Sequence, residues 1–193
     1  VSRRDARRRL GLAQDATIVA FASKMTARKR TSDLLSAFEQ MRSNHPEVAL
    51  VIAGSGPEEQ ALHAKAETLG TGVTFVGFQN QSELPALFAA SDVFVLPSSD
   101  EPWGLVVNEA MAAGLPVVVS DDVGAAPDLV EDKGTGYVYP VGNIARLAEC
   151  LSALAASDDL RRQMGRAARS LIAEWTPKRA AAGISAAAWA VAK

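Results

Sequence analysis

Two carboxylates and a cluster of cations are the residues best suited to chemistry. Glu101 and Glu109 are separated by seven residues that include Pro102, Trp103 and Gly104. Pro102 and Gly104 force a tight non-helical approach, and a helical pattern begins near Leu105 and stops at Gly114, ahead of Pro116. Such a start leaves the backbone N–H groups of Leu105 and Val106 without intrahelical partners, and the helix dipole reinforces this anion-binding corner. Glu109, about one turn in, offers two acceptor oxygens that suit the vicinal hydroxyls of a ribose, and Glu101, on the loop, would lie beside a sugar. The same spacing equally fits a first-turn dipole partner at Glu109 and a surface acid at Glu101.

Three other segments have comparable potential. The stretch Lys24 to Arg30 packs four cations into seven residues just before a helical pattern. Lys24 and Lys29 can converge on a diphosphate, where positive charge lowers the cost of a departing anion; a solvated loop is the plain alternative. Gly54-Ser55-Gly56-Pro57 resembles a dinucleotide-binding turn, but Glu59 occupies the third glycine position, so a tight structural turn is the better reading. Phe78 and Gln79 leave a strand with an aromatic and exposed polar backbone, suited to covering a base and reading its edge, although Phe78 also fits plain core.

These segments need a scaffold that brings them to one edge. Short, nearly continuous apolar runs at Thr17–Ala22, Val48–Ala53, Val73–Phe78, Val93–Leu96, Val117–Ser120 and Gly136–Tyr139 read as strands buried on both faces of a parallel sheet. Helical patterns near 32–43, 57–69, 82–90, 105–113 and 125–131 alternate with them, and three more helices are expected after the last strand. The alternation predicts an α/β fold, a doubly wound Rossmann-like parallel sheet of about six strands with helices on both faces. In such sheets ligands bind outside the carboxyl ends of the strands, which is where all four segments fall. No linker or repeat interrupts the pattern, so residues 1–193 read as one domain with a helical extension over about 158–193.

Composition sets outer limits. The 193 residues are 48% hydrophobic and 22% charged, with a net charge of -2, so the chain has no global field for collecting nucleic acid. Five arginines within Val1 to Arg9 read as a solvated helix face rather than a nucleic-acid arm. The single cysteine, Cys150, sits among Leu147, Leu151 and Leu154 at helical spacing, which predicts a small buried hydrophobe and a cytosolic setting. No apolar run has the length of a membrane span. His45 and His63 fall away from the working edge and read as surface residues. Asp121-Asp122 lack further ligands, so no metal is expected.

Taken together, Glu101 to Glu109 resembles the E-x7-E motif of glycosyltransferase family 4, the retaining group 1 enzymes of GT-B architecture. Lys24 with Lys29, Gly54-Ser55-Gly56-Pro57, Phe75-Val76-Gly77-Phe78, Ala90-Ser91-Asp92-Val93 and Ser120-Asp121-Asp122-Val123-Gly124 match in order over nearly the whole chain. The resemblance implies that Glu109 holds the ribose, that Glu101 contacts the donor sugar and takes a catalytic part, and that Trp103, Gly104, Leu105 and Val106 give main-chain contacts to sugar and diphosphate. It further implies Lys24 and Lys29 on the diphosphate, and base specificity then depends on the loop near Phe78 and Gln79. Lys24 departs from the arginine usual there, keeping charge but losing the bidentate fork, and Arg30 replaces the usual glycine.

On this resemblance the chain is a carboxyl-terminal donor-binding domain that takes a nucleoside diphosphate sugar as substrate, with neither cofactor nor metal. The acceptor-binding amino-terminal domain is then the absent partner, and any membrane contact would be made through it. Two rivals remain: a binding module that turns nothing over by itself, and a flavodoxin-like signalling receiver. The receiver requires acidic residues after the first strand, where Ser23, Lys24 and Arg28 stand instead.

Overall fold

A computed structural model describes residues 1–130 and 134–191. Six parallel strands form one sheet: β1 (Thr17–Ala22), β2 (Val48–Ala53), β3 (Val73–Gly77), β4 (Val93–Leu96), β5 (Val117–Ser120) and β6 (Gly136–Tyr139). Their spatial order is β3-β2-β1-β4-β5-β6, with β1 paired to β2 from Thr17↔Val48 through Ala22↔Ala53. The run of side chains in β1, β2, β4 and β5 is almost wholly buried, as expected for strands covered on both faces, whereas the edge strands β3 and β6 are half-buried.

The helices are α1 (Arg3–Arg9), α2 (Thr31–Arg42), α3 (Glu59–Thr68), α4 (Leu84–Ala90), α5 (Leu105–Ala112), α6 (Ile144–Ala156), α7 (Asp158–Ala173) and α8 (Pro177–Val191). α2 packs between α3 and α6, while α1 lies against α4 and α5 against α7, so both sheet faces are covered. The helical expectation over 125–131 is met by one wide π-type turn, Ala126–Val130, and residue 131 lies outside the described residues.

The arginine run is helical but is not simply a solvated face. Arg7 is 2% exposed and donates to the carbonyls of Ala90, Ala13 and Gln14 and to Asp92. The same Asp92 oxygen accepts the amide of Ile18 at 2.7 Å, so one buried ion pair ties α1 to the chain between α4 and β4 and to the start of β1. Burial is tolerable because four acceptors surround the guanidinium. Cys150 is buried in the α6 face against the core, as its spacing predicts, and burial pushes its thiol pKa up.

At the carboxyl-terminal edge of the sheet the loops are tied to one another. Ser23 N–H bonds the Ala53 carbonyl at 3.1 Å, Met25 N–H that of Ser55 at 2.9 Å, and Glu58 N–H that of Met25 at 3.1 Å. A Cβ at Gly54 would lie 1.9 Å from the Ser23 oxygen, so only glycine permits this approach. On the other side Ser99 N–H bonds the Arg28 carbonyl at 2.7 Å, and Glu101 pairs in parallel with Val123.

Candidate functional site

The strand order reverses between β1 and β4, and a cavity of about 550 Å³ opens above that point. This is the crevice in which open α/β sheets hold their ligands, and its size is that of a small-molecule site. Its lining comes from four loops: Ser23, Lys24 and Lys29 after β1, Gly54 to Gly56 after β2, Phe78 and Gln79 after β3, and Glu101, Gly104, Leu105, Val106 and Glu109 around the start of α5.

Gly104 has φ of +88° and forms the N-cap of α5, so the tight non-helical approach expected at Pro102 and Gly104 is made through a left-handed residue. A Cβ there would meet the Leu96 side chain at 2.9 Å. The amides of Leu105 and Val106 have no acceptor among the described residues, while Val107 N–H already bonds the Gly104 carbonyl. Leu105 is 63% exposed and Glu109 follows it four residues on, so both project from one helix face into the cavity. The Glu109 carboxylate makes no hydrogen bond or ion pair among the described residues, and burial alone raises its pKa. Nothing within this region compensates its charge.

Lys29 ends a short 3₁₀ turn, Ala27–Lys29, and its ammonium forms an ion pair with the Glu101 carboxylate; both side chains are 13% exposed. Lys24 is exposed, and its ammonium has no acceptor among the described residues. Arg30, in the place where the resemblance expects glycine, takes a left-handed φ of +49° and pairs with Asp33 at 2.6 Å, away from the cavity. The turn therefore still uses the glycine conformation, with a side chain that the α2 N-terminus accommodates.

Phe78 is 71% exposed at the cavity wall and is not core. The chain turns at Gly77, with φ of +68°, so β3 ends one residue before the run of apolar residues suggests. The Gln79 amide nitrogen donates to the carbonyls of Val76 at 2.9 Å and Phe78 at 3.3 Å, which fixes the loop and leaves its oxygen free.

The Trp103 side chain is the one candidate that does not line this cavity. Its indole N–H bonds Asn108 Oδ1 at 2.9 Å, and its ring lies 5.5 Å from that of Trp175, over a separate hollow of about 480 Å³. Only the Trp103 main chain is placed near Glu101 and Gly104, with its carbonyl accepting Ala125 N–H at 3.0 Å. His45 lies beside Glu47 and His63 stacks on Phe75 at 3.8 Å, both outside the cavity. Asp121 and Asp122 accept the amides of Val141 and Asp100, each at 2.8 Å. Among the described residues no group of three acidic, histidine or cysteine side chains is placed to hold a metal ion, and no helix is long and apolar enough to cross a membrane.

Sequence reasoning singled out Lys24, Lys29, Phe78, Gln79, Glu101, Gly104, Leu105, Val106 and Glu109 of this cavity, but it read Gly54 to Gly56, which also line the wall, as a structural turn only, and it missed the Lys29–Glu101 pair. The partners are 72 residues apart, and only the adjacency of β1 and β4 brings them together.

A family profile described as glycosyl transferases group 1 matches residues 2–171. The chain is 34% identical over 184 residues to a GDP-mannose-dependent alpha-(1-6)-phosphatidylinositol monomannoside mannosyltransferase of Mycobacterium tuberculosis, covering 90% of this chain and 47% of that enzyme. Among solved structures, the sucrose-phosphate synthase of Thermosynechococcus elongatus superposes with a TM-score of 0.83 at 29% identity, over 98% of this chain and 49% of that one. Anabaena HepE, solved with UDP and glucose, gives 0.79 at 27% identity, over 89% and 47% respectively. The chain thus spans less than half the length of these relatives. With its sheet order, its cavity at the switch point and a profile match across most of its length, the chain belongs to the group 1 glycosyl transferases.

Proposed function

We propose that this chain is the donor-binding half of a retaining glycosyltransferase of GT-B type, taking a nucleoside diphosphate sugar without a metal ion or cofactor. The observation that carries the reading is the grouping, in one cavity, of an uncompensated carboxylate, free helix-terminal amides and lysines. Glu109 is matched to the ribose hydroxyls, whose two O–H donors supply the partners that it lacks. Phe78 gives the base an exposed aromatic face, and the free oxygen of Gln79 stands beside it. Lys24, Lys29 and the amides of Leu105 and Val106 face the diphosphate, and Glu101 with the Trp103–Gly104 main chain faces the sugar.

During transfer the bond from the anomeric carbon to the diphosphate oxygen breaks, and negative charge grows on the leaving diphosphate. Cations and helix-terminal amides fixed around that oxygen favour the transition state over the ground state. The Glu101 carboxylate stabilises positive charge on the sugar as it departs. The relatives, a GDP-mannose-dependent transferase and a protein solved with UDP and glucose, support a nucleotide-sugar donor. The acceptor would be held by the remainder of a longer protein, so the isolated chain binds donor and transfers nothing.

A calorimetric titration with UDP, GDP and ADP, their monophosphates and their hexose conjugates tests this. One diphosphate series should bind in preference to its monophosphate, and Lys24→Ala with Lys29→Ala together should abolish that preference. Equal binding of mono- and diphosphate by the parent chain would remove the phosphate assignment.

A further inference from the structure

Glu101 and Lys29 occupy each other in a site where both have another task. The Glu101 main chain is held on two sides, its N–H on the Asp122 carbonyl at 3.1 Å and its carbonyl on Gly124 N–H at 2.8 Å. A Cβ at Gly124 would fall 2.0 Å from the Pro102 oxygen, so this strand-like contact is as close as backbone allows. The carboxylate is therefore anchored beside the Lys29 ammonium, and a phosphate that engages Lys29 arrives next to a fixed negative charge.

We propose that Glu101 competes with the diphosphate for Lys29 and so makes the site prefer the intact sugar donor to the bare nucleoside diphosphate left after transfer. The inference rests on the donor-site reading above. When a sugar is attached, its hydroxyls donate to the Glu101 carboxylate and replace the lysine, so Lys29 passes to the diphosphate and neither charge is stranded. When the sugar has left, Glu101 is stripped of donors and faces the phosphate as a like charge in a part-buried site. Recovery of the ion pair then favours release of the product. Lys24 differs: its exposed ammonium has no competing carboxylate among the described residues, so it binds diphosphate equally with or without sugar.

The test is titration calorimetry of the full chain, Glu101→Gln and Glu101→Asp with UDP, GDP and ADP and their hexose conjugates, each variant first checked for native melting. Glu101→Gln should bind the diphosphate about tenfold tighter than the parent, the scale expected for a part-buried charge contact. Its affinity for the sugar conjugate should not rise, so the preference for donor over product falls by at least that factor. Glu101→Asp, which keeps the charge, should retain the weak diphosphate binding of the parent. An unchanged or weaker diphosphate affinity in Glu101→Gln overturns the proposal, as does an equal gain in Glu101→Asp. Binding by the parent without a gain in Glu101→Gln removes this inference alone; absence of binding by all three chains removes the donor-site reading as well.

Discussion

Replacing Glu109 with glutamine should separate binding from stability. The carboxylate has no partner among the described residues, so no bond inside the protein is lost with its charge. On a ribose diol the amide keeps one acceptor oxygen and forfeits one charge-assisted hydrogen bond, worth about 1.5–3 kcal/mol. That corresponds to a loss of roughly 10- to 150-fold in affinity for nucleoside diphosphate, and Glu109→Ala should lose more. The effect on folding runs the other way. Burial raises the Glu109 pKa, so the folded chain holds this proton more tightly than the unfolded chain. Its contribution to stability is complete below the ordinary carboxylate value of about 4.3 and is lost as pH rises through the raised value. At pH 7.5 the ionised group is a net cost, and Glu109→Gln should melt slightly higher than the parent, the gap closing as pH is lowered toward 4. Titration calorimetry at pH 7.5 and melting across that range read both effects. Parental affinity in both variants would refute the ribose role, and a variant that melts lower at pH 7.5 would refute the claim that the carboxylate is uncompensated.

Two further substitutions probe the scaffold. Arg7→Met takes from Asp92 the buried one of its two guanidinium partners and leaves it the exposed Arg3, and the cost of about 1–3 kcal/mol should lower Tm by roughly 2–12 °C, measured by calorimetry or circular dichroism. Gly124→Ala places a methyl on the Pro102 carbonyl, and should cost about 1–3 kcal/mol in urea unfolding while weakening sugar-donor binding through displacement of Glu101.

The strands were legible because a strand buried on both faces is apolar at nearly every position: Val48–Ala53 is wholly so, and Val117–Ser120 departs only at its last residue, whose hydroxyl donates to the Ser98 carbonyl. The end of β3 was not, because it depends on Gly77 adopting a positive φ, which the apolar Phe78 beyond it masks. Site residues stood out wherever local spacing dictated their surroundings, as at Gly104 and Glu109 on the first turns of α5. Partners far apart in the chain did not. Arg7 looks like one of five solvent-facing arginines until the packing of α1 on α4 brings Asp92 to it. Trp103 stands in the middle of the motif, yet Asn108 and a ring from beyond α7 draw its side chain to the other side of the loop.

The backbone bonds between the first and second loops make Ser23 to Glu58 a single seam, in which neither loop can change length without displacing the other. The loop from Phe78 to Glu83 is free of that seam and is held mainly by its own contacts, among them Asn80 N–H on Glu83 at 3.0 Å and Ser82 N–H on Asn80 at 2.9 Å. Variation is thereby partitioned: insertions and exchanges at the aromatic wall leave the lysine-bearing end of the cavity undisturbed, so a family built on this frame can remodel one end of the cavity while the other stays constant.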